Sequence, residues 1–170
     1  MTRNNKAKEM YTEAMGAFVA GNYTEAIRLL GAAVTEDDAF SLAFVSRGAA
    51  HLKLSRPIDA IADFDRAISI GADNARAYHL RGLAREIQGN DTAAEADFDR
   101  AIALNPEYSA AYFSRASLLS KTGREEAAVE DIQMVAHFSE HHLGEFAAEN
   151  NVWRSHHLTV EAAMETELNR

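Results

Sequence analysis

A 34-residue step runs through this 170-residue chain: Ala26, Ala60, Ala94 and Ala128 fall in one column, and Leu30, Phe64, Phe98 and Ile132 in another. A third column holds Met10, Phe44, Tyr78 and Tyr112. A fixed repeat of this size means stacked supersecondary units, none of which can bury its apolar face alone. The core of each unit is completed by its neighbours, so the chain folds as an array. With Ala7 as the first position, four units fit without insertion: 7–40, 41–74, 75–108 and 109–142, after a leader at 1–6.

Within a unit, apolar and small residues recur at three- and four-residue spacing on either side of Gly21, Ser55, Gly89 or Gly123. That pattern predicts two helices joined by a tight turn. Pro57 falls in the first turn of a second helix, where a missing amide costs least. Counting positions 1 to 34 within a unit, position 8 reads Ala14, Gly48, Gly82, Ala116 and position 27 reads Ala33, Ala67, Ala101, Val135. Small residues there allow paired helices to approach closely.

These columns resemble tetratricopeptide repeats, over residues 7–142. That family has a large residue at position 4, small ones at 8, 20 and 27, and often proline at 32, which Asn105-Pro106 matches in the third unit alone. The resemblance implies an all-α fold, a right-handed superhelical solenoid of helix-turn-helix units whose first helices line a concave face.

Arginine at position 7 (Arg47, Arg81, Arg115) and aspartate at position 23 (Asp63, Asp97, Asp131) occur together in units two to four; unit one has Glu13 and Leu29 instead. Two residue types that appear and vanish together should meet, so an Arg–Asp ladder is expected, within each unit or stepping to its neighbour. The other acids of the repeated string ADFDRAI (62–68 and 96–102) read as facing water or favouring helix amino ends.

The remainder, 143–170, begins like a fifth first helix, with Phe146 in the position-4 column and Trp153 in the position-11 column. No turn signal follows, and Trp153, His157, Val160, Met164 and Leu168 keep helical spacing. It reads as a long C-terminal helix that caps the array; as a self-association arm, Trp153, Val160, Met164 and Leu168 would drive contact.

Chemistry is poorly represented. The net charge of −9 does not suit nucleic-acid phosphates, and the basic group Arg3, Lys6 and Lys8 reads as solvated. With no cysteine there is neither a disulfide framework nor a thiolate metal site. Neither a nucleophile elbow nor a glycine-rich phosphate loop is present. No membrane span or targeting segment is evident, so cytoplasmic location is the default. His137, His141 and His142, with Glu140, Glu145 and Glu149 nearby, offer a metal-binding alternative, but the boundary expected between 138 and 143 would break their spacing. No catalytic residue, metal or cofactor is expected.

By resemblance, positions 2, 5, 6, 9, 12 and 13 point into the concave face. The family's carboxylate clamp for chaperone carboxyl termini would fall on Tyr11, Met15, Ser46, Arg76 and Leu80, where only one residue is basic, so that mode is not expected. The expected activity is a non-enzymatic, co-chaperone-like protein–protein scaffold whose groove binds an apolar or amphipathic segment. Its groove residues are expected to be Tyr11, Met15, Phe18, Val45, Leu52, His79, Leu83 and Phe113. The alternative is a homo-oligomeric assembly factor using the C-terminal helix.

Overall fold

The computed structural model describes the backbone of residues 3–150 and the side chains of residues 5–139. Eight helices occupy the described residues, without a strand: α1 (Arg3–Val19), α2 (Tyr23–Glu36), α3 (Ser41–Lys53), α4 (Pro57–Ile70), α5 (Ala75–Ile87), α6 (Asp91–Leu104), α7 (Ser109–Lys121) and α8 (Glu125–Asn150). Each helix packs on the next in chain order, and α3, α5 and α7 also touch along the inner line of the array. This is an all-α helical repeat. No described helix is long and apolar enough to cross a membrane. The expected leader is largely helical, since α1 starts at Arg3, and Lys6 pairs with Glu36 of α2.

The turn inside each unit needs a left-handed residue at position 15. Gly21, Gly89 and Gly123 supply it with φ of 78°, 77° and 78°, while Ser55 adopts φ 56° despite its side chain. Position 16 then caps the second helix where it can: the side chains of Asn22 and Asn90 accept from the amides of Glu25 and Ala93.

Positions 8 and 24 are matched in size. Where position 24 is phenylalanine, position 8 is glycine (Gly48 with Phe64, Gly82 with Phe98); where it is leucine or isoleucine, position 8 is alanine (Ala14 with Leu30, Ala116 with Ile132). A Cβ on Gly48 would stand 2.6 Å from Cε1 of Phe64, so the ring takes the space a side chain would fill. Helix pairing at this distance is what fully buries Leu30, Phe64 and Phe98.

The Arg–Asp ladder is present in all three units. Arg47 donates to Asp63 through Nε at 2.9 Å and Nη2 at 2.6 Å. Arg81 does so to Asp97 at 3.0 and 2.7 Å, and Arg115 to Asp131 at 2.8 and 2.7 Å. The three aspartates are buried, and the fork geometry pairs both oxygens of each carboxylate with a guanidinium. The ladder also steps between units: Nη1 of Arg81 reaches Asp65 of the preceding unit at 2.6 Å, and Nη1 of Arg115 reaches Asp99 at 2.6 Å. These second acids of the two ADFDRAI strings are therefore inter-unit partners, correcting the expectation that they only face water. Position 25 of the first unit is Gly31, so Arg47 has no such acid. Each ladder arginine also lies over its position-4 ring, at 5.4 Å from Phe44, 5.3 Å from Tyr78 and 5.7 Å from Tyr112.

The carboxyl end departs from the expected boundary. The second helices of units one to three stop at position 31, where Asp37, Gly71 and Asn105 take extended backbone. The fourth unit has Ser139 there, and its hydroxyl donates to the Val135 carbonyl at 2.8 Å within the helix. With nothing at this position to open the last turn, α8 runs on through the 142/143 boundary to Asn150. Trp153, Val160, Met164 and Leu168 lie outside the described residues.

Candidate functional site

The inner helices form a groove of about 730 Å³. Its apolar floor comes from Phe18 of α1, Leu52 of α3, and Leu80 and Leu83 of α5, with Ala49 and Ile87 filling between them. All of its lining residues occupy positions 2, 6, 9, 12 or 13 of first helices, because these share the helix face turned away from the second helices. Around the floor stand Lys53, Arg76 and Lys121, against the single acid Glu86. Lys121 donates to Asp91 at 2.9 Å. Lys53 and Arg76 have no ion-pair partner among the described residues.

Of the expected groove residues, Phe18, Leu52 and Leu83 are among those lining this groove. Position 5 does not line this groove, and its occupants must be corrected: in a stacked array that position faces the next unit. Val45 is 2% exposed, and His79 is likewise buried, so neither is open to a partner. Half-buried Tyr11 packs on Phe40, with ring centres 5.2 Å apart, and its hydroxyl lies 3.3 Å from Ser46 Oγ. Met15 is half-buried beside it on α1, outside the groove lining. Phe113, the last of the column, is 60% exposed because no following unit covers it among the described residues. It lines a second groove of about 590 Å³ between α7 and α8, with Ser117, Val129, Ile132 and Gln133.

His79 is held as a neutral ring. Its Nδ1 lies 3.1 Å from Tyr108 Oη and its Nε2 2.9 Å from Ser114 Oγ, two hydroxyls that can each donate or accept. Burial, aided by the Arg76 charge, pushes its pKa down to about 4. Burial also lowers the His51 pKa, against the pull of Asp63 and Asp59. His137 is exposed beside the Phe138 ring, and no cluster of three metal-ligating side chains occurs among the described residues. The side chains of His141, His142, His156 and His157 are outside them.

The cations Lys53, Arg76 and Lys121 were missed as a group because their columns are mixed: position 13 reads Val19, Lys53, Ile87, Lys121 and position 2 reads Lys8, Leu42, Arg76, Ala110. Their only common signal is the family's concave-face positions, 2 and 13.

Family models described as tetratricopeptide repeat match residues 11–75 and 45–103, and a further one matches 98–130. The chain belongs to the tetratricopeptide repeat family. Among similar curated proteins, Hsc70-interacting protein 1 of Drosophila melanogaster is 34% identical over 85 residues, 50% of this chain and 22% of that protein. The TPR repeat-containing thioredoxin TDX of Arabidopsis thaliana is 31% identical over 83 residues, 49% and 22% of the two chains. The chain therefore spans about a fifth of the length of these relatives. Among solved structures, MamA superposes with a TM-score of 0.76 at 22% identity, covering 82% of each chain. The first TPR of Spaghetti (RPAP3), bound to HSP90 peptide SRMEEVD, gives 0.69 at 22% identity over 71% of this chain and 95% of that one. The Arabidopsis OM64 TPR domain gives 0.67 at 27% identity over 68% and 96%.

Proposed function

We propose that this chain is a non-enzymatic interaction scaffold whose concave groove captures an amphipathic protein segment, one presenting apolar side chains beside carboxylates. The observation that carries the reading is the pair Lys53 and Arg76, left without ion-pair partners at the edge of an apolar floor in a chain of net charge −9. Acids outnumber bases 26 to 17, and most described arginines are paired, so cations kept free at the groove favour an anionic guest. The apolar floor supplies the area and the cations the orientation. The acidic peptide SRMEEVD bound by the Spaghetti domain is a guest of this chemistry. Here the clamp positions hold Tyr11, Met15, Ser46 and Leu80 beside Arg76, so a free chaperone carboxyl terminus is not the guest we favour. The reading keeps the cytoplasmic setting expected from the sequence.

The test is fluorescence anisotropy with a labelled peptide built of leucine and glutamate pairs, against the same peptide with lysine for glutamate. The acidic peptide should bind, more weakly as salt rises, and the doubly reversed variant Lys53→Glu/Arg76→Glu should lose about tenfold or more in affinity. Equal binding of the lysine peptide, or unchanged affinity in the variant, would overturn the reading.

A further inference from the structure

We infer that the open carboxyl-terminal face of the array is an interface with a second copy of this chain, the α8 extension of each copy covering the Phe113–Val129–Ile132 face of the other. Three columns locate the face. Position 24 is fully buried at Leu30, Phe64 and Phe98 but 45% exposed at Ile132. Position 21 is half-buried at Ile27, Ile61 and Glu95 but 54% exposed at Val129. Position 5 ends in the exposed ring of Phe113. These are the surfaces on which the earlier units receive the next first helix, so the patch has the shape and chemistry to accept one more.

The sequence that would fill it is in the chain. Two of the three covered position-5 residues are covered by an aromatic at position 34 and a small residue at position 6 of the next unit: Phe40 and Ser46 at Tyr11, and Tyr108 and Ser114 at His79. Buried Val45 is instead followed in those columns by Asn74 and Leu80. The residues in those columns after Phe113 are His142 and Ala148. They cannot reach their own Phe113 face in this fold, because α8 is unbroken through both. It carries them about 15 and 24 Å past Ile132 at 1.5 Å per residue. The residue that would have to open the helix, Ser139, is engaged in it. A segment that matches a surface but is directed away from it can satisfy that surface on an identical neighbour, at the low cost typical of an exchanged element. Two copies related by a two-fold axis would satisfy both faces at once.

The test uses the full chain in sedimentation velocity from about 1 to 200 μM, with the substitutions Val129→Asp and Ile132→Asp made together on exposed side chains. The wild type should form a concentration-dependent dimer. The double variant should stay monomeric, its dimer fraction reduced at least tenfold, with unchanged helical circular dichroism and unchanged peptide binding in the concave groove. Because the chain has no cysteine, Phe113→Cys in one copy and Ala148→Cys in another can be mixed and joined by a short bismaleimide, and a cross-linked heterodimer is expected. A wild type monomeric throughout, a double variant that still dimerises, or cross-linking only within a chain carrying both cysteines would each overturn the inference.

Discussion

The ring of Phe98 lies so close to the backbone of Gly82 that an added Cβ would stand 2.5 Å from Cε1, and 3.1 Å from the Ala94 carbonyl oxygen. Gly82→Ala should therefore destabilise the protein by about 1–3 kcal/mol, the usual cost of overpacking a filled interior. Combining it with Phe98→Leu recreates the pairing of Ala14 with Leu30. The double variant should be more stable than the sum of its single changes implies. Urea denaturation of all four proteins gives the coupling, and simple additivity would count against size matching.

Asp97 is gripped by both Arg81 and Arg85, the latter through Nη1 at 2.9 Å, and is almost wholly buried. Asp97→Ala leaves two guanidinium groups without their shared acid and should cost about 3–5 kcal/mol. Asp65→Ala removes a half-exposed partner of the same Arg81 and should cost about 0–1 kcal/mol. Chemical denaturation that ranked the two equally would refute this division of the ladder.

Gly31 stands within α2 at the position where units two and three carry the inter-unit acid. A Cβ there would meet only Nη1 of Arg47, at an ordinary 3.7 Å. Gly31→Asp should raise stability by about 0.5–1 kcal/mol, from helix propensity and a new surface ion pair. Gly31→Asn should recover only the propensity part. The gap between the two, read by thermal melts, should close at high salt.

Ser55 carries a side chain at φ 56°, where the other three units have glycine. Ser55→Gly relieves about 1 kcal/mol of left-handed strain, so the melting temperature should rise; a fall would show that the serine hydroxyl stabilises the turn.

His79 makes stability depend on acid. Its pKa is about 4 when folded and near 6.5 when unfolded, so between those values the unfolded chain holds more protons. Its contribution is fully present above about pH 6.5, declines as pH falls towards 4, and totals about 3 kcal/mol. In His79→Gln this part of the pH dependence of the melting temperature should disappear. A slope identical to the wild type would place the effect elsewhere.

Much of the fold was legible because a column of identical spacing reports a shared environment. The helix pairs follow from that spacing, and the joint loss of arginine and aspartate in unit one announced the ladder. Residue choice inside the groove was less legible. Helical periodicity marks Tyr11, Val45, His79 and Phe113 as one stripe, but does not say whether the stripe faces solvent or the neighbouring unit. Asp65 and Asp99 looked like ordinary surface acids because their partners lie 16 residues away on the next unit. The course of α8 was hidden because the columns after Ser139 still imitate a fifth unit, although the helix continues through them.

The stepping arm of the ladder has a consequence for how the array comes apart. Units two and three, and three and four, are linked by a ladder guanidinium reaching a half-exposed carboxylate at 2.6 Å, whereas between units one and two the guanidinium–carboxylate contact is the long one of Arg66 with exposed Asp38, at 4.0 Å. Dissolved ions screen such half-exposed pairs and leave apolar contacts largely untouched. Ionic strength therefore redistributes cohesion along the array. In dilute buffer the first unit is the one least tied by charge, and in concentrated salt the three junctions become more alike. The order in which the helices open, followed by hydrogen exchange, is set by the solvent as well as by the sequence.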